Sequence, residues 1–125
     1  LTATDDELVR FVDGWACLME AEDYEAAFSY TSHSPSMHWS PELLRDVVKG
    51  YDECLPTQRV TVDGVGTDIS QRKDVNRYPS PRPGGIGYIW YDLNIDGVVS
   101  DLTATFDIQV DSGGLVVVLN EICVM

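Results

Sequence analysis

The chain has 125 residues and a formal net charge of −13 at pH 7, with 21 acidic and 8 basic side chains. A chain of this length forms one domain around one core, so we expect a single domain over residues 1–125. The charge disfavours nucleic acid and anionic membranes as partners, because a phosphate-binding surface needs a concentrated basic face, and it favours a basic protein.

Three helices are predicted within residues 4–54. The run Thr4-Asp5-Asp6-Glu7 is a capping box, in which the side chains of Thr4 and Glu7 each accept a hydrogen bond from the other's backbone amide. Apolar residues at helical spacing follow it. A short second helix is predicted over residues 23–30. Ser40, followed by a proline that suits a first helical turn, begins the third.

A four-stranded antiparallel sheet is predicted over residues 58–125. Asp96-Gly97 lies between two apolar runs and predicts a two-residue hairpin turn, since both of its positions need a positive φ. A second turn is predicted at residues 111–114. The strands are expected at residues 58–67, 88–95, 102–108 and 115–119.

Between the first two strands, residues 69–87 are predicted to form a long loop. The segment holds three prolines and four of the eight basic residues. Loops of this length are often functional or mobile, so two roles stay open: a mobile loop without a role, and a flap or binding arm. As a binding arm, it would make its contacts through Arg72, Lys73, Arg77 and Arg82.

The order of these elements resembles a known superfamily. A long N-terminal helix, a short helix at Glu22-Asp23-Tyr24-Glu25-Ala26-Ala27, a Ser-Pro-Glu-capped helix and an antiparallel sheet are similar to nuclear-transport-factor-2-like (cystatin-like) α+β proteins. The resemblance implies N-terminal helices packed on one face of a curved four-stranded antiparallel sheet, forming a cone. The strand at Trp90-Tyr91-Asp92-Leu93 is similar to small bacterial domains of unknown function. Such a superfamily hosts isomerases, dehydratases, immunity proteins and binding modules, so the fold does not select an activity.

The predicted hairpin gives the sheet one apolar face and one mixed face. A two-residue turn places Asp92 directly opposite Asp101 on the mixed face, where like charges repel. An arginine of the 69–87 loop, a cation, a ligand or water would offset the repulsion; the alternative is a register that pairs Asp92 with Thr103. We predict that the mixed face binds a partner protein or a second copy of the chain. Its residues are Tyr88, Trp90, Asp92, Asp101, Thr103, Val116 and Val118.

A pocket between helices and sheet is the second candidate site, and it would be lined by Trp15, Tyr30, His38, Trp39 and Tyr51. An enzyme with this pocket would need an acid or a base with a shifted pKa inside it, and no catalytic set stands out. His33, His38 and Cys54 match no zinc module. We therefore expect no metal and no cofactor.

Two functions follow from these sites. The first is a non-enzymatic protein-binding module, such as an immunity-type protein that holds a basic toxin domain. The alternative is a small-molecule binder or an isomerase or dehydratase that uses the pocket. A dimeric domain within a larger system also fits. The cysteines, Cys17, Cys54 and Cys123, are typical of buried thiols in a reducing compartment; since no apolar run is long enough to span a bilayer, we expect a cytoplasmic protein.

Overall fold

The fold is α+β, with three helices that cover one face of a mixed sheet. The computed structural model describes residues 3–65, 71–83 and 85–124. In these ranges the elements are α1 (Asp5–Glu20), α2 (Tyr24–Tyr30), β1 (Ser32–His33), α3 (Pro41–Lys49), β2 (Val60–Thr61), β3 (Lys73–Arg82), β4 (Gly85–Ile95), β5 (Val98–Asp111) and β6 (Gly114–Val124).

The three predicted helices are confirmed, together with their start signals. At α1 the Glu7 amide donates to Thr4 Oγ1 at 3.1 Å and the Thr4 amide donates to Glu7 Oε1 at 3.2 Å. Asp23 caps α2 and Ser40 caps α3, each accepting from a backbone amide three residues on. These contacts are local, which is why the sequence alone predicts them.

The predicted sheet of four antiparallel strands is wrong in strand number and direction. Within the described residues the sheet has six strands in the order β1-β6-β5-β4-β2, and β3 also pairs with β4. Strand β1 runs parallel to β6 and the other pairs are antiparallel. Strand β1 could not be predicted from the sequence because it is only two residues long. Its partner β6, in which Val118 pairs with Ser32, lies far away in the chain.

The long loop predicted over residues 69–87 is also wrong. Strand β3 occupies Lys73–Arg82, and its register with β4 runs from Lys73↔Tyr91 to Arg77↔Gly87 before it shifts. Prolines are compatible with a strand at the edge of a sheet. Gly87 suits this pairing, since a Cβ there would lie 2.3 Å from the Asn76 carbonyl oxygen.

The remaining strand predictions differ in their outcomes. The strand expected at residues 58–67 is reduced to β2, with an isolated bridge at Val65, while residues 66 and 67 lie outside the described residues. The Asp96-Gly97 turn is confirmed, because Ile95 pairs with Val98 and the two turn residues have φ of 50° and 79°. The turn predicted at residues 111–114 is confirmed as well.

The core lies between the helices and one face of the sheet. Trp15 of α1 is fully buried and meets the ring of Phe106 edge-on, at 5.2 Å between centroids. Cys17 and Cys54, expected to be buried, are exposed. None of the described helices combines the length and apolar character that crossing a membrane requires. The other principal core residues are Leu8, Val12, Met19, Leu44, Val48, Ile89, Tyr91, Leu93, Ile108 and Leu119.

Candidate functional site

The outer face of the sheet, opposite the helices, carries the residues predicted to bind a partner. The register is the alternative one: Asp92 pairs with Thr103, and a β-bulge between Asp92 and Asn94 shifts the ladder. The predicted pair of Asp92 with Asp101 is therefore wrong. Asn94 pairs with Val99 and Asp92 with Thr103, so two steps along β4 span four along β5 and every later pair is displaced by two residues, which a hairpin turn alone does not reveal.

Asp92 is the centre of a closed hydrogen-bond network. Its carboxylate accepts from Thr103 Oγ1 at 2.8 Å, from Trp90 Nε1 at 2.9 Å and from the Arg72 amide at 2.9 Å. Thr103 is 1% exposed. The Gln71 side chain donates to the Asp92 carbonyl oxygen at 2.7 Å. Because these donors occupy the carboxylate, this part of the predicted partner face is closed by the protein's own groups.

Asp101 lies away from this network, on an exposed rim. Its carboxylate accepts from the Tyr51 hydroxyl at 2.5 Å. Burial and this hydrogen bond raise the pKa of Tyr51 above its ordinary value. The two side chains line a hollow of about 630 Å³, which we call the acidic depression. Its other lining residues are Gly50, Asp52, Glu53, Cys54 and Val124.

The four basic residues of the predicted binding arm contact the protein itself. On the inner side of β3, Lys73 Nζ lies 3.1 Å from Asp13 Oδ1 and Arg77 Nε lies 2.9 Å from Asp5 Oδ1, so both bind α1. On its outer side, Arg72 pairs with the neighbouring Asp74 and stacks over Trp90, while Arg82 stacks over Tyr78. The contacts of Lys73 and Arg77 with α1 and of Arg72 with Trp90 hold the strand against the fold.

The five residues predicted to line a pocket lie in different surroundings. Trp15 belongs to the core. The Tyr30 hydroxyl donates to the Phe11 carbonyl oxygen at 2.8 Å, and Trp39 Nε1 donates to the Asn120 carbonyl oxygen at 3.0 Å. His38 is exposed, with a φ of 52°, and Tyr51 belongs to the acidic depression. The structure therefore does not bring these side chains together around one ligand.

A groove that the sequence analysis missed lies at the other end of the outer face. It has a volume of about 310 Å³ and runs between residues 32–35 and the outer side of β5 and β6. Val116 and Val118, predicted as partner-binding residues, form part of its wall. The wall formed by β5 and β6 follows from the alternation of side chains along those strands. The opposite wall, residues 32–35, depends on the pairing of β1 with β6, which the sequence does not indicate. We call it the Asp107 groove; it is lined by Ser32, His33, Ser34, Pro35, Asp107, Gln109, Val110, Asp111, Val116 and Val118.

Asp107 is the one carboxylate of this groove that is half-buried, and burial raises its pKa above the ordinary value. No described residue donates a hydrogen bond to it or forms a salt bridge with it. On the opposite wall, His33 Nε2 lies 2.6 Å from the Phe28 carbonyl oxygen, and the two rings stack at 4.0 Å. The groove thus combines an unpaired carboxylate, a fixed imidazole and valine side chains.

Known proteins and known kinds of site give no further guide to this surface. Comparisons of the chain with protein-family models, with curated proteins and with solved structures find no match. Across residues 3–65, 71–83 and 85–124, no three His, Cys, Asp or Glu side chains are arranged to hold a metal ion. A functional interpretation of this surface therefore rests on its geometry and charge.

Proposed function

We propose that the protein is a non-enzymatic binding module that holds a basic surface of a partner protein. The observation that carries this proposal is the internal use of its cations. Within the described residues, five of the eight Lys and Arg side chains form salt bridges with carboxylates of the same chain. The acidic side chains outnumber the basic ones 21 to 8, so internal pairing leaves a large surplus of carboxylates to face a partner.

Two hollows present this surplus at the surface. The acidic depression contains the carboxylates of Asp52, Glu53 and Asp101 and no basic side chain. A second groove, of about 240 Å³, lies between the starts of α2 and α3. Four of its lining residues are acidic, Glu22, Asp23, Glu25 and Glu42, of which Glu22 is already paired with Lys49, and one is basic, Arg45.

An immunity-type protein that holds a basic toxin domain is the specific form of this proposal. Complementary charge speeds the encounter of two proteins and rejects partners of the wrong sign. A small inhibitor that must capture a toxin before it acts gains from both effects. Cytoplasmic location is part of the same proposal.

The test captures partners on the immobilised protein from an extract of the organism that encodes it, and then measures binding of the purified partner. We expect a basic protein whose association rate falls steeply as ionic strength rises, because salt screens exposed charges. Glu53→Gln and Asp101→Asn should each slow association, whereas Asp6→Asn, which removes a charge from the exposed first turn of α1, is the matched control. An acidic partner, or a rate insensitive to salt, would contradict the proposal.

The fold and the oligomeric state extend the proposal. An arrangement of three helices in the first part of the chain that pack on one face of the sheet supports a variant of the nuclear-transport-factor-2-like fold, which an experimental structure can test. A homodimer through the outer face stays a prediction. For a dimer, light scattering at micromolar concentration would give twice the chain mass of 13.9 kDa. A measured mass equal to that of one chain would contradict this prediction.

A further inference from the structure

We propose that the Asp107 groove receives an arginine or lysine side chain of the partner protein. This inference rests on the proposed function, since it names the place where a basic partner would insert a side chain. It rests on the shape of the groove, on the missing partner of its carboxylate and on the chemistry of its two walls.

The shape follows from three neighbouring strands. Asp107 pairs with Val118, and Val118 pairs with Ser32, so these residues form one row across the outer face. Gln109 and Val116 form the next row. Residues 32–35 close one side, which leaves a trough of about 310 Å³. A water molecule occupies about 30 Å³ in the liquid, so a trough of this size has room for a long side chain.

The carboxylate of Asp107 lacks the partner that a half-buried charge requires. Removing a charged group from water is unfavourable unless an opposite charge or hydrogen-bond donors replace the water. Asp92 on the same face has three donors, whereas no described residue supplies one to Asp107. Burial raises the pKa of Asp107, as expected for a carboxyl that has lost water and gained nothing in exchange. A guanidinium or ammonium group would supply the missing charge.

The walls suit the rest of such a side chain. Val116 and Val118 offer apolar surface on which the methylene groups of arginine or lysine can pack. On the other wall, a carbonyl oxygen can only accept, so His33 Nε2 carries the proton that it shares with Phe28. In the neutral imidazole, Nδ1 is then an acceptor, and it can take a hydrogen bond from a cationic head group.

A partner protein fits this groove better than a second copy of the chain. Five of the chain's own eight cations are held in internal salt bridges and Arg82 stacks over Tyr78, so a second copy would have two others to offer, Arg10 and Arg59. A metal ion would leave the valine wall unused. An extended basic side chain uses the carboxylate, the imidazole and the valines together.

The test is an NMR titration with a short capped peptide that has one arginine between glycines. The matched probe replaces arginine by citrulline, which has nearly the same shape and no charge. We expect the arginine peptide to shift the methyl signals of Val116 and Val118. The citrulline peptide should bind with an affinity at least tenfold lower. Asp107→Asn should abolish the difference in affinity between the two peptides, whereas Asp6→Asn, which removes a carboxylate from the exposed first turn of α1, should preserve it.

The outcomes separate this inference from the proposed function. Equal chemical-shift changes with both peptides, or changes confined to the acidic depression, would contradict the proposal that the groove binds a basic side chain. If the purified basic partner binds Asp107→Asn as tightly as the unchanged protein but binds Asp101→Asn more weakly, the binding function stands and the groove inference fails. If the arginine peptide binds in the groove but the capture experiment yields no basic partner protein, the groove inference stands and the proposed function fails. A well-dispersed spectrum of Asp107→Asn shows that the variant is folded.

Discussion

Asp92 and Asp107 are the same residue type on the same face of one sheet, yet their surroundings are opposite. Asp92 accepts three hydrogen bonds from its own chain. Asp107 faces a groove, and no described residue pairs with it. A carboxylate that the fold has saturated stabilises the structure, whereas one that the fold has left half-buried and unpaired can gain from a partner. The hydrogen-bond donors around an aspartate, more than the residue type, therefore decide whether its carboxylate is used within the fold or is available to a partner.

The largest effect should come from removing the saturated carboxylate. Asp92→Ala leaves donors of Trp90, Thr103 and Arg72 without an acceptor; the hydrogen bonds from Trp90 and Thr103 are partly buried, and an unsatisfied donor that water cannot reach costs about 1–3 kcal/mol. We expect the free energy of unfolding, measured with urea, to fall by about 3 kcal/mol. Asp101→Ala removes the acceptor of the Tyr51 hydroxyl at an exposed site where water can replace it, and should change the free energy of unfolding by less than about 0.5 kcal/mol. Equal losses for the two variants would break the comparison.

Two buried threonines on the same face give a smaller and more specific test. Thr103 donates to Asp92 at 2.8 Å, whereas the Thr105 hydroxyl is buried without a partner among the described residues. Thr103→Val should lower the free energy of unfolding by about 1 kcal/mol. Thr105→Val removes a hydroxyl that gains nothing and should leave stability unchanged or raise it. If urea denaturation shows the reverse order, the network around Asp92 contributes no stability.

The smallest effect concerns the pH dependence of Asp107. Its folded-state pKa is raised from the ordinary value of 3.8, so the folded protein holds this proton more tightly than the unfolded chain does. The contribution of Asp107 to stability therefore declines as pH rises from about 3.8 through the raised pKa. His33 and Asp111 also line the groove and are the same in both proteins. Asp107→Asn should match the unchanged protein at the lowest pH and exceed its stability at neutral pH; a constant difference in urea titrations across pH would contradict this.

The sequence predicted the features that depend on neighbouring residues. The capping box at Thr4, the cap at Ser40 and the Asp96-Gly97 turn are read from a few adjacent positions, and all three are confirmed. The outer face was predicted from the alternation along β4 and β5. Its division into a closed network and an open groove was not, because that depends on a bulge beside Asp92 and on the pairing of β1 with β6.

Strand β3 shows the same limit in physical terms. Its prolines and basic residues indicate a loop when they are considered alone. The strand forms through its backbone pairing with β4, and its Lys73 and Arg77 reach carboxylates of α1 that lie 60 and 72 positions earlier in the chain. No local pattern contains this information, so the candidate binding arm was assigned to the wrong structure.

The wide separation of these contacts has a consequence for folding kinetics. Contacts between distant parts of a chain form slowly, because a long loop must close before the contact stabilises anything. Here α1 packs on the neighbouring α2 but also on β3 and on Phe106 of β5, and β1 pairs with β6, so the first helix and the first strand cannot reach all of their final neighbours until most of the sequence is present. A ribosome-bound fragment that ends before β3 should therefore expose the apolar side of α1, and chaperones that recognise apolar helices should bind it during synthesis.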